Sequence, residues 1–147
     1  MSFSLVALGL YIRAIKDKML KNHGYYRHVE KDGSTSSIVS CDDGVYQFFP
    51  PKVAGGEWTI EKLIGDAASD GLLLDLDNDG EEELCTIAPF RGDTINIYHK
   101  RDGKGYTAQI LDKGCGAANV LHYVHNGKDI VIATNREVNE IAMYELT

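Results

Sequence analysis

Residues 75–83 read Asp75-Leu76-Asp77-Asn78-Asp79-Gly80-Glu81-Glu82-Glu83 and stand between the apolar runs Leu72-Leu73-Leu74 and Leu84-Cys85-Thr86-Ile87-Ala88. An apolar run, an acidic glycine-bearing turn and a second apolar run predict two strands joined by a tight loop. Carboxylates at alternate positions repel one another, and a cation held between them removes that cost. The pattern suits a hard cation with oxygen ligands. Asp75, Asp77 and Asp79 would give side-chain oxygens, Gly80 the sharp turn, Glu81 a backbone carbonyl and Glu83 a further carboxylate, which predicts Ca2+.

The helix-flanked version of such a loop ends in a bidentate Glu at its twelfth position. Here that position is Thr86, inside a strand-like run, which argues against the helix-flanked form. An acidic hairpin turn without an ion is the other reading of the same residues, because Asp, Asn and Gly are ordinary turn formers.

Outward from this loop, the chain of 147 residues has the length of one domain or part of one. Its 15 Lys and Arg against 22 Asp and Glu give a net charge of −7, which makes a nucleic-acid backbone a poor partner. The basic cluster from Arg13 to Lys21 is short. Cys41, Cys85 and Cys115 are an odd set without C-x-x-C spacing, so they predict ordinary thiols rather than a disulfide framework or a zinc site. The first residues lack the marks of a secretory leader, and the apolar run from Phe3 to Ile12 is too short to cross a bilayer. The thiols and the missing leader together predict a cytoplasmic protein, or an extracellular one if the N-terminus is truncated.

Residues 1–22 differ from the remainder. Leu8, Ile12, Ile15 and Met19 share one helical face, which predicts an amphipathic N-terminal helix capping the core. From His23 onward, short strand-type runs alternate with Gly, Asp and Asn turns and predict an all-β architecture. The expected strands are 37–41, 45–49, 58–64, 72–75, 83–88, 94–99, 106–111, 118–124, 129–134 and 140–146.

The chain also repeats. Gly33, Gly80 and Gly127 are each 47 residues apart, preceded by Asp32, Asp79 and Asn126 at the same interval. His28, Asp75 and His122 fall at the first position of the three turns. Val45-Tyr-Gln-Phe48, Ile95-Asn-Ile-Tyr98 and Ile141-Ala-Met-Tyr144 recur as a later strand, and Trp58–Leu63 and Tyr106–Leu111 as the next. A four-stranded unit of this length has the dimensions of a β-propeller blade.

The run LLLDLDNDGEEELCTIA, Leu72 to Ala88, resembles the FG-GAP or VCBS-type repeat of integrin-α-like β-propellers, whose hallmark is an acidic D-x-D-x-D-G loop between two blade strands. The resemblance implies a partial propeller over residues 23–147, with blades at about 23–65, 70–112 and 117–147, and Ca2+ at the second loop. The first turn keeps Glu30 and Asp32 of the acids; the third has Val124 and Asn126 instead. Two blades and a third without its outer strand cannot close a ring. The chain is a piece of a longer propeller, or further blades come from copies of the same chain or from a partner chain, or the blades form a short open array, the least stable of the three.

Two functional classes follow. One is a calcium-stabilised scaffold or binding module with a protein or carbohydrate ligand. The other is a carbohydrate-active lyase, isomerase or hydrolase in which His23, His28 and His122 converge at the centre as metal ligands or as acid and base. A histidine replacing the first aspartate of a decayed loop would instead bond its own turn. Arg91-Gly92-Asp93 spells an adhesion tripeptide and reads as a hairpin turn. The many tyrosines recur at strand positions, which predicts packing between blades.

Overall fold

The computed structural model describes residues 13–88, 92–101 and 105–145. Eleven strands make up almost all of its regular structure. They are β1 (Gly24–Val29), β2 (Thr35–Cys41), β3 (Gly44–Phe49), β4 (Thr59–Ile64), β5 (Asp70–Leu74), β6 (Glu83–Ile87), β7 (Thr94–Arg101), β8 (Gly105–Lys113), β9 (Ala117–His125), β10 (Lys128–Asn135) and β11 (Glu140–Glu145). One 3-10 turn, Arg136–Val138, precedes β11.

The strands form three antiparallel sheets in which each strand pairs with the next in sequence: β1–β4, β5–β8 and β9–β11. Ten of the eleven strands overlap the expected runs, with ends shifted by a few residues. The exception is β1, whose Gly-Tyr-Tyr-Arg-His-Val alternation buries Gly24 and His28 rather than large apolar side chains.

The glycines of the repeat mark the first hairpin of every sheet. Gly33, Gly80 and Gly127 adopt φ values of 82°, 90° and 75°, a region open to glycine because it lacks a Cβ. The hairpins differ in length, however. Asn126 and Gly127 form a two-residue turn between His125 and Lys128, both at positive φ, whereas residues 75–82 separate Leu74 from Glu83. His28 and His122 therefore lie inside strands, opposite Ser36 and Val131. They do not occupy turn positions as the repeat alignment expects.

The sheets stack face to face in an open array, β1 and β2 against β5, and β5 and β6 against β9. Between the first and second sheets, Ile38, Val45 and Ile64 meet Leu73, Leu84 and Tyr98. Between the second and third, Leu72, Leu74, Cys85, Ile95 and Ile97 meet Val120, Val131 and Ala133. The outer face of the first sheet holds Cys41, Tyr46 and Phe48, with Met19 packed on them.

Among the described residues, the part of the expected N-terminal helix from 13 to 22 is not helical. Leu8 and Ile12 lie outside the described residues, and residues 13–22 follow an irregular path with Lys18 and Lys21 at φ 58° and 48°. Tertiary contacts dictate that path: the Leu20 carbonyl accepts the Asp42 amide at 3.0 Å, and Arg13 bonds Glu57 at 2.6 Å. The described part of the segment reaches the first sheet through Met19, as strap rather than helix. All three cysteines are free and buried, and burial pushes the Cys85 thiol up to about 12. No helix among the described residues is long and apolar enough to cross a membrane.

A hydrogen bond recurs with the sheets. The Tyr98 hydroxyl on β7 donates to Asp66 Oδ2 (3.0 Å), just past β4 of the preceding sheet. The Tyr144 hydroxyl on β11 donates to Asp112 Oδ2 (2.6 Å), at the end of β8 of the preceding sheet. Burial, then the acceptor carboxylate, pushes both phenols up to about 12.

A neutral Tyr–carboxylate bond contributes about 1.5–3 kcal/mol, so Tyr98→Phe and Tyr144→Phe should each lower unfolding free energy by an amount of that order, read by urea titration. Both folded-state values lie above the ordinary phenol value of 10. The folded chain thus holds protons the unfolded chain has released, and stability present below pH 10 should be lost as the pH rises toward 12. A double Tyr→Phe variant should flatten that alkaline slope, and an unchanged slope would refute the assignment.

Candidate metal centre

The β5–β6 hairpin carries the acidic loop. β5 and β6 are buried at every residue, and Leu76 follows β5 into the core at 7% exposed. Leucines before the loop and Leu84 after it thus anchor its two ends, where Leu74 pairs with Glu83, and Asp77, Asn78, Asp79 and Gly80 are exposed between them.

Within the loop, backbone amides are spent on carboxylates. The Gly80 amide donates to Asp75 Oδ2 (3.0 Å), the Asp79 amide to Asp77 Oδ1 (3.2 Å) and the Glu81 amide to Asp79 Oδ1 (2.7 Å). Asn78 and Gly80, at φ 61° and 90°, let the chain bend tightly enough for these bonds. One oxygen each from Asp75, Asp77 and Asp79 lies within 4.8 Å of the others. Asp75 Oδ1 is buried without a hydrogen-bond partner. Three converging carboxylates with an orphaned buried oxygen fit a hard cation by donor type. The Lys31 ammonium, from the hairpin of the first sheet, hydrogen-bonds the Gly80 carbonyl from outside the loop.

Glu83 takes a different place from the one its spacing suggests. It is 3% exposed, its Oε2 accepts the Leu76 amide at 2.8 Å, and it groups with Asp77 and His99 rather than with all three aspartates. Its Oε1 lies 3.8 Å from His99 Nδ1. His99 Nε2 donates to Gln109 Oε1 at 3.1 Å, and Nδ1 faces the carboxylate. Burial above all, then the charges of Asp77 and Asp79, raises Glu83 above the usual carboxylate range. Glu81, whose expected ligand is its backbone carbonyl, has an exposed side chain that belongs to neither side-chain group.

His99 was not legible from spacing. Strand register supplies it: Leu84 pairs with Tyr98, so Glu83 comes opposite His99 one step further along the β6–β7 hairpin.

The other histidines have separate partners. His23 Nδ1 donates to the Ser69 carbonyl (3.1 Å), and His122 Nε2 donates to Asp129 Oδ1 (2.6 Å). His28 Nε2 lies near the carboxylates of Glu82 and Glu30. No cation-binding group among the described residues contains two of these three imidazoles. In the Arg91-Gly92-Asp93 tripeptide, Arg91 lies outside the described residues, and the Asp93 carbonyl accepts the Gly114 amide.

Comparison with protein-family models, with curated proteins and with solved structures finds no match.

Because the folded state raises the Glu83 pKa, its ionised form opposes folding. The penalty vanishes below the ordinary Glu range and grows as the pH rises through the raised value. In chelator at pH 7, Glu83→Gln should therefore be at least as stable as the parent, with a shallower change in stability between pH 4 and 7. Urea titrations at the two pH values test this, and a variant markedly less stable than the parent at pH 7 would contradict it.

Proposed function

We propose that this chain is a calcium-binding β-propeller-type repeat module with a scaffold or ligand-binding role. The observation that carries this reading is the triad Asp75, Asp77 and Asp79, gathered within 4.8 Å on the loop of a buried hairpin. The orphaned Asp75 Oδ1 supports it. So do the two consecutive four-stranded meanders and a three-stranded one, each entered through a positive-φ glycine at the same 47-residue interval. An ion at the loop would cancel mutual repulsion and pin the β5–β6 hairpin, a structural role for the metal.

The partners proposed are further sheets of the same kind, from a second copy or from another chain. Leu121, Tyr123, Ile141 and Met143, on the outer face of the third sheet, are between 38% and 75% exposed, whereas the corresponding face of the first sheet is covered by residues 13–22. A protein or carbohydrate is the proposed ligand class, and the net charge of −7 disfavours nucleic acid.

Calcium added after chelation should raise the melting temperature by several degrees. Saturation at a hundredfold over Kd stabilises a folded-state binder by about 2.7 kcal/mol. Asp77→Ala should lose the shift. An identical melt in chelator and in calcium would remove the metal from this reading.

A further inference from the structure

His28 is 4% exposed, on β1 at the seam between the first and second sheets, and its Nε2 is buried without a hydrogen-bond partner. A buried ring nitrogen that makes no well-aligned hydrogen bond is costly. Two carboxylate oxygens approach it from different sheets, Glu82 Oε1 at 3.3 Å and Glu30 Oε2 at 3.9 Å. They do not share the 4.8 Å mutual spacing that groups the three loop aspartates. Glu82, the freer of the two at 29% side-chain exposure, is the one an ion would draw inward.

Glu30 is held from behind. Gln47 Nε2 donates to Glu30 Oε1 and to Ser36 Oγ, both at 2.9 Å, with Gln47 and Ser36 themselves buried. The other Glu30 oxygen is left for His28. This is how an outer hydrogen bond commonly fixes a metal-binding carboxylate. A cavity of about 820 Å³ lined by Glu30, Gln47, Glu82 and Tyr106 opens beside the two carboxylates and gives an entry path.

We infer that His28 Nε2, Glu82 and Glu30 form a second cation site, for a borderline divalent ion such as Zn2+ or Co2+, with its remaining positions open to the cavity. Imidazole nitrogen mixed with carboxylate suits these ions and not Ca2+. At metal–ligand bonds of about 2.0–2.2 Å, neighbouring ligand atoms stand roughly 3–3.5 Å apart, the spacing His28 and Glu82 already have. The site uses none of Asp75, Asp77 and Asp79, so it stands whether or not calcium occupies the acidic loop.

The test is a Co2+ titration of the full chain in excess calcium, followed by visible absorption and calorimetry, with Zn2+ as competitor. One Co2+ per chain should bind with a visible band that Zn2+ abolishes. His28→Gln and Glu82→Gln should each weaken binding at least tenfold, and Gln47→Ala about tenfold. Asp77→Ala should leave it unchanged. If the buried His28→Gln fails to fold by circular dichroism, the partly exposed Glu82→Gln decides. A parent that binds no Co2+ overturns the site. So does binding that Glu82→Gln leaves intact, or a ring-nitrogen NMR spectrum showing His28 as a doubly protonated imidazolium in the Co2+- or Zn2+-treated chain.

Discussion

A sheet has two faces, and among the described residues only the second sheet, β5–β8, has another sheet of the chain on both of them. That constraint organises the molecule. β5 alternates so that Leu73 enters the layer shared with the first sheet while Leu72 and Leu74 enter the layer shared with the third. A continuous apolar run is what two-sided burial requires, and an alternating strand would leave polar groups in one layer. The one charged residue of the strand, Asp70, is 7% exposed and is satisfied by the amides of Gly71 and Val120 and by the Asn119 side chain. It thereby fixes where β9 meets β5. The acidic loop inherits its position from this strand: a loop anchored at both ends in two-sided burial has little room to relax away from its own repulsion.

How the outer faces are finished follows from the same constraint. Phe48, Tyr46 and Cys41 of the first sheet lie under residues 13–22, and Lys16 and Lys62 each set an ammonium 5.3 Å from the Tyr46 ring centroid. The cover is a strap of mixed polarity held by side-chain bonds at its ends, which explains why helical spacing of Ile15 and Met19 misleads. Ile15 is 44% exposed, and Met19 packs through contacts that a regular helix does not supply. The third sheet has no such cover among the described residues.

The sequence made the strands readable because turn chemistry punctuates them and apolar side chains fill them. β1 escaped because its buried positions are Gly24 and His28, neither of which marks a core face. Gly24 is there for lack of space, since a Cβ would stand 2.5 Å from Asp70 Cα. The three aspartates could be read because their partners lie two residues apart in one loop. The His99–Glu83 pairing and the His28 cluster could not, because they depend on strand register and on the stacking of two sheets. The repeat alignment placed His28 and His122 in turns because it assumed equal hairpin lengths. The two-residue turn at Asn126–Gly127 shows that the hairpins are unequal.

The tyrosine–aspartate bonds give the array a polarity. Each joins a hydroxyl on the third strand of one sheet to a carboxylate at the end of the sheet before it, 32 residues earlier in both cases. The bond is therefore vectorial, with a donor side and an acceptor side that cannot be exchanged by turning a sheet over. In the first sheet the matching residue is Phe48, which has no hydroxyl to offer. A sheet presented to that side would lack this particular bond, so the two ends of the stack offer a neighbour different chemistry.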